Sequence, residues 1–154
     1  MNGVNESKTA YEEEEARIAE ERRLEEERKA EEARNKKNGF LSRMAQMGDP
    51  NGDYWNKYMN KSDAEMVNIG SEMYNEWDAL LNEIWSELQL TLDKDKMDIL
   101  TTEQLKWIED KEHEEAIINE NMAGAHSNFV AMNRYSIISS LIRERCYELV
   151  NNYM

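Results

Sequence analysis

From Ser62 onward apolar residues return every three to four positions, and that period predicts helices. Met66, Ile69, Met73, Trp77, Leu80, Leu81, Ile84, Trp85, Leu88 and Leu92 keep one phase. One helix over about 62–92 follows. Ser62-Asp63-Ala64-Glu65 supplies its capping box, with Ser62 capping and Glu65 reaching back. The phase survives Gly70; a break there, with Ser71 as a new N-cap, is the alternative. The stretch Asp78 to Trp85 carries the broadest apolar face, and Asp78 and Asn82, four apart, form a second line beside it.

Two further helices follow. Asp93-Lys94-Asp95 is a short connection, and a second helix is predicted over about 96–122. Met97, Leu100, Gln104, Trp107, Ile108 and Lys111 mark its inner side. Its other side is acidic: Glu109, Asp110, Glu112, Glu114 and Glu115. A connection this short makes the two helices antiparallel neighbours. Ala123-Gly124-Ala125-His126-Ser127 breaks the pattern, with Ser127 as the expected N-cap. The last helix, about 127–152, places Phe129, Met132, Tyr135, Ile138, Ile142, Cys146 and Leu149 on one stripe.

Upstream the pattern changes. Residues 1–9 are polar, with no fixed structure expected. Residues 10–37 are rich in Glu, Arg, Lys and Ala, all strong helix formers, and Glu13–Arg17 is a favourable i,i+4 pair. Tyr11, Ile18 and Leu24 are too few for a heptad seam, so a solvated spacer helix is expected. Asn38-Gly39 reads as its stop. Asp49, Asn51 and Asp53 alternate as calcium-loop ligands do. Tyr54 occupies the sharp-turn glycine position, however, and Asn60 the closing glutamate position, so the cluster reads as a turn. The expected organisation is a disordered start and charged helix at 1–38, a linker at 39–55 and a helical domain at 56–154. The fold class is all-α: an antiparallel three-helix domain, four-helix if broken at Gly70, preceded by a charged helical stalk.

Charge narrows the partners. The 154 residues carry 33 acids and 19 bases, net −14. Residues 1–38 hold 12 acids and 9 bases, which leaves 21 and 10 for the remainder. The acidic part is therefore the domain, at −11. Such a surface repels phosphate backbones and anionic membranes and attracts basic proteins. Acidity serving solubility alone remains open. No apolar run of 18 residues is present, so no membrane span is expected. Met1 to Ala10 lacks a basic start and an apolar centre. Either the protein stays in the cytoplasm or its sequence begins after a removed leader.

Catalytic signatures are missing. His113-Glu114 opens like a zinc-protease motif, but Ile117 stands where the second histidine belongs. The single cysteine, Cys146, falls on an apolar stripe and excludes an intrachain disulfide. Trp77, Trp85 and Trp107 lie on apolar faces and read as core. Tyr54 and Trp55 either close one end of the core or stand exposed. Asp78, Asn82, Gln104, Lys111 and Arg145 are the polar residues nearest the inner stripes, and an interhelical network of hydrogen bonds and ion pairs is the favoured reading over a ligand site. No cofactor, metal or catalytic residue is assigned.

Several short motifs agree in order and spacing: Asp78…Leu81-Asn82…Trp85, Leu100, Gln104…Trp107-Ile108…Lys111-Glu112, Ala123-Gly124, and Leu141…Arg145…Glu148-Leu149. Over about 70–154 the chain resembles the LprI-type lysozyme inhibitor family, small helical domains of secreted proteins and lipoproteins. Many relatives carry cysteines after the basic-acidic pair and in the last helix. Here those neighbourhoods offer Glu115 and Ser136, so that bridge is absent. Lys111 stands where arginine is commoner, and Trp85 where tyrosine is common. The resemblance implies a non-enzymatic binding module of the cell envelope with a lysozyme as partner; the acidity of the domain adds the expectation that Glu109, Asp110, Glu112, Glu114 and Glu115 form the face that meets a basic enzyme. The alternative is a structural module whose stalk oligomerises. A cytoplasmic location and the oligomeric state stay open.

Overall fold

The computed structural model describes residues 2–58 and 60–154, with only the backbone of Asn2. It is all-α: α1 (Asn2–Met47), α2 (Gly52–Tyr58), α3 (Asp63–Thr91), α4 (Lys94–Asn121) and α5 (Ser127–Tyr153). The chain divides into two compact units, Met1–Gly39 and Phe40–Met154.

The first unit is helix held by its own side chains. Arg17 bonds Glu14 and Glu21, Arg23 bonds Glu20 and Glu27, and Arg28 bonds Glu25 and Glu32. Each guanidinium thus reaches an acid three positions back and another four ahead. Its fork pulls Glu25 down to about 2. Such exposed pairs are individually weak and are screened by salt, so their number is what matters. Residues 1–9 differ from expectation: the helix begins at Asn2, and the Ser7 and Thr9 hydroxyls donate back to the Gly3 and Asn5 carbonyls at 2.9 Å. Met1 lies outside the described residues.

The expected stop at Asn38-Gly39 does not occur. A glycine inside a helix costs about 1 kcal/mol. The apolar run after Gly39 compensates: Phe40, Leu41, Met44 and Met47 recur at helical spacing and pack on the core, with Met44 fully buried. Gly48, at φ 80°, is where the backbone leaves the helix. The stretch 39–55 therefore carries the last turns of α1 and the start of α2. In the turn between them, Asp53 accepts the Asp49 N–H at 2.7 Å and Asp49 accepts the Asn51 N–H at 3.0 Å, so these carboxylates close the turn.

In the second unit α3, α4 and α5 form the antiparallel three-helix domain. The Ser62–Glu65 capping box starts α3. Asp93 caps α4 by accepting the Lys96 N–H at 2.9 Å. His126, not Ser127, caps α5: its Nδ1 accepts from the Asn128 N–H at 3.3 Å. α5 is the central wall, packed along α3 and against α4. Trp77, Leu80, Leu81, Ile84 and Leu88 meet Ile138, Ile142, Cys146 and Leu149 there, with Leu100 and Ile118 from α4. Each such side chain contributes roughly 1.5–3 kcal/mol on burial. Phe129, expected on the α5 stripe, is 46% exposed, with its ring 6.5 Å from Trp55.

α3 is unbroken at Gly70. A Cβ there would sit 2.8 Å from the Tyr54 hydroxyl and 2.9 Å from the Tyr135 ring. The glycine lets α2 and α5 close on α3. Tyr54 is buried and donates to the Met66 carbonyl at 2.7 Å, in a small second core with Met66 and Met132. Trp55 Nε1 donates to Ser136 Oγ at 3.1 Å, and Ser136 donates to Asn51 Oδ1 at 2.9 Å. Tyr54 and Trp55 thus close one end of the domain.

Candidate functional site

The acidic side of α4 separates into three parts. Glu109 and Glu112 are exposed and form no ion pair among the described residues. Asp110 and Glu114, one turn apart, border a groove between α4 and α5. Asp110 accepts both its hydrogen bonds from Lys106 Nζ, at 2.9 and 3.1 Å, and this holds the Lys106 ammonium above its ordinary range. Glu115 is half-buried and turns instead toward α3 and α5, where it lines a different pocket.

The groove encloses about 430 Å³. Trp107 and Leu141 give it apolar walls, and Glu144 and Glu148 add two carboxylates from α5 to the two from α4. Arg145 lines it too. Although 4% exposed, its guanidinium is held from two sides: Nε donates to Gln104 Oε1 at 2.8 Å, and Nη1 donates to Glu148 Oε2 at 2.7 Å. Nη2 has no hydrogen-bond partner. Only a planar fork serves an amide and a carboxylate at once this way. Lys111 Nζ lies 5.9 Å from the Trp107 ring, a cation–π distance.

Of the five polar residues singled out from the sequence, Gln104 and Arg145 meet, and Lys111 stands at the same groove. Asp78 and Asn82 do not join them. At 3.6 residues per turn, Asp78 stands roughly 100° and Asn82 roughly 140° from the centre of the buried stripe. Accordingly Asp78 is half-buried and Asn82 is exposed. The charge of Asp78 helps to hold the Tyr74 hydroxyl and the Cys146 thiol above their ordinary ranges, although burial is the larger cause for both. Burial is what pushes Cys146 up to about 12. Among the described residues no three His, Cys, Asp or Glu side chains gather as a metal site, and no helix is long and apolar enough to cross a membrane.

Sequence reasoning missed the Trp55–Ser136–Asn51 chain and Met44. A tryptophan beside a turn and a serine inside an apolar stripe were the available signals for the first. The methionine-rich run after Gly39 was the signal for the second.

A family model described as Lysozyme inhibitor LprI matches residues 55–149. The chain belongs to the LprI lysozyme inhibitor family. No match is found among curated proteins or among solved structures. The matched region of this LprI domain begins at Trp55 and ends at Leu149. It therefore contains the α4–α5 groove, the Gln104–Arg145 contact and all of α3. The family description names inhibition of an enzyme rather than catalysis.

Proposed function

We propose that this LprI domain is a non-enzymatic binding module of the cell envelope that docks a basic lysozyme on the acidic side of α4. The observation that carries the reading is the set of exposed carboxylates Glu109, Glu112 and Glu114, without ion pairs among the described residues, Glu114 on the groove side of α4 and Glu109 and Glu112 on another. Beside it lies the groove, to which Asp110, Glu144 and Glu148 add charge. Carboxylates already paired with neighbouring cations, as Asp110 is with Lys106 and Glu148 with Arg145, have less to offer a partner than Glu114 and Glu144, which form no ion pair among the described residues. A cationic surface would be steered by these carboxylates and then desolvated against Trp107 and Leu141.

The test is titration of the full chain against a basic lysozyme at low and at physiological salt, together with a cell-wall lysis assay. Binding that weakens with salt, and slower lysis, is expected, because exposed charges are screened over about 8 Å at physiological ionic strength. Glu112→Lys with Glu114→Lys should lower the association rate at least tenfold. No binding at low salt, or an affinity indifferent to salt, overturns the reading.

A further inference from the structure

A second pocket, which the docking reading does not use, lies where α3, α4 and α5 come together. It encloses about 280 Å³. Glu115 comes from α4, Arg134 and Tyr135 from α5, and Tyr74 from α3. Ile138, fully buried, forms apolar lining.

The distinctive feature is a carboxylate and a guanidinium that share one pocket without forming an ion pair. Opposite charges that line one pocket and do not pair are both left able to meet a ligand. Here Arg134 is held by an aromatic face: its guanidinium carbon lies 5.3 Å from the centre of the Tyr135 ring. Tyr135 is itself fixed by Tyr74, with ring centres 6.1 Å apart and planes tilted by 51°. Glu115 reaches the pocket from a different helix, α4. Both charges also act on the Tyr74 hydroxyl. Burial, then Asp78, then Glu115 hold that group above its ordinary range, and Arg134 opposes them. Glu115, Arg134 and Tyr74 all line this one pocket. Ser71 and Asn75, one turn apart on α3, add neutral polar groups to the lining.

A ligand of one sign meets a like charge in such a pocket: an anion faces Glu115, and a cation faces Arg134. A ligand carrying both signs satisfies both. The volume sits at or below the small end of small-molecule sites, about 300 Å³, which restricts the ligand to a few heavy atoms. We propose that this pocket binds a small zwitterion of the amino-acid class, its ammonium on Glu115 and its carboxylate on Arg134.

The test uses the full chain and amide NMR at constant ionic strength. Glycine, β-alanine and γ-aminobutyrate serve as probes, because their charge separation grows by one methylene at each step. Acetate and methylammonium carry each charge alone. At least one of the three zwitterions should give saturable shifts at residues 71–75, 115 and 134–135, at least tenfold tighter than either single-charge probe. Glu115→Gln and Arg134→Gln should each weaken that binding tenfold or more, with amide shifts elsewhere in the domain unchanged. The proposal is overturned if no zwitterion saturates, if acetate or methylammonium binds as well, or if both variants bind like the parent. Lysozyme titration is a separate measurement, so the two proposals stand or fall apart from each other.

Discussion

Gly70→Ala tests the packing of the domain at one atom. In an exposed helix the change would stabilise, since alanine is favoured over glycine by about 1 kcal/mol. Here the added methyl would lie 2.8 Å from Tyr54 Oη, 2.9 Å from Tyr135 Cδ2 and 3.0 Å from Tyr135 Cβ. The first obstacle is the end of a side chain, but that hydroxyl is buried and bonded to the Met66 carbonyl at 2.7 Å. Of the other two, Cδ2 belongs to the Tyr135 ring and shifts with it, whereas Cβ sits at the root of the side chain and yields only if α5 moves. Overpacking of this kind costs typically ~1–3 kcal/mol. Losing the Tyr54 bond adds about 1 kcal/mol. Against the propensity gain, the net is a destabilisation of roughly 1–3 kcal/mol. The four tryptophans at 55, 77, 85 and 107 all lie in the second unit, so urea melts monitored by tryptophan fluorescence report this unit alone. A lower midpoint at unchanged slope is expected. A midpoint raised by the propensity gain alone would refute the close approach of α2 and α5 to Gly70.

Four further outcomes are expected. Gln104→Leu removes the acceptor of Arg145 Nε in a guanidinium whose Nη2 is already unpartnered; the same melts should show a loss of about 1–3 kcal/mol. Cys146 is fully buried and its thiol is raised to about 12, so a disulfide reagent at pH 8 should label no thiol in the native protein and one in denaturant. Arg43 holds Glu83 below its ordinary 4.5, and a depressed carboxylate contributes above its unfolded value and loses that contribution as pH falls through the folded one. The stability gap between parent and Glu83→Gln, less than about 1 kcal/mol for a half-exposed pair, should be present at pH 7 and shrink as pH is taken below 4.5. Light scattering should give a monomer for both the full chain and residues 39–154, since Tyr11, Ile18 and Leu24 are scattered along a charged helix; an oligomer formed only by the full chain would favour the structural-module alternative.

The three long helices were legible because their apolar stripes are regular, and the Ser62–Glu65 box was legible because its two hydrogen bonds need those residue types at that spacing. Three features were not legible, each for a physical reason. Gly39 looked like a stop because local preference says so, yet the packing of Met44 outweighs a cost of about 1 kcal/mol. Gly70 was ambiguous because its meaning lies in two tyrosines from other helices, at positions 54 and 135, and one-dimensional periodicity cannot see them. The polar signature residues looked like a single group because they border the inner stripes. The rotation of Asn82 away from the α3 stripe already follows from 3.6 residues per turn, whereas the turning of Glu115 toward α3 and α5 emerges only once the helices are assembled.

The division along α4 reflects how few residues anchor it. Its fully apolar buried side chains are Leu100 and Ile118, with Gln104 between them. A helix held by so narrow a stripe leaves most of its circumference to solvent, and acids at three- and four-residue spacing, such as Glu109–Glu112 and Asp110–Glu114, repel one another along it. The Lys106–Asp110 pair relieves only part of that repulsion. The buried Arg145, donating to Gln104 from α5, supplies a fixed point that apolar packing alone does not give. The same guanidinium bonds Glu148, which with Glu144 lines the groove from α5 as Asp110 and Glu114 do from α4. The interaction that fastens a weakly anchored helix thus lies in the same groove as carboxylates from two helices, with Trp107 and Leu141 as its apolar walls and Lys111 beside them.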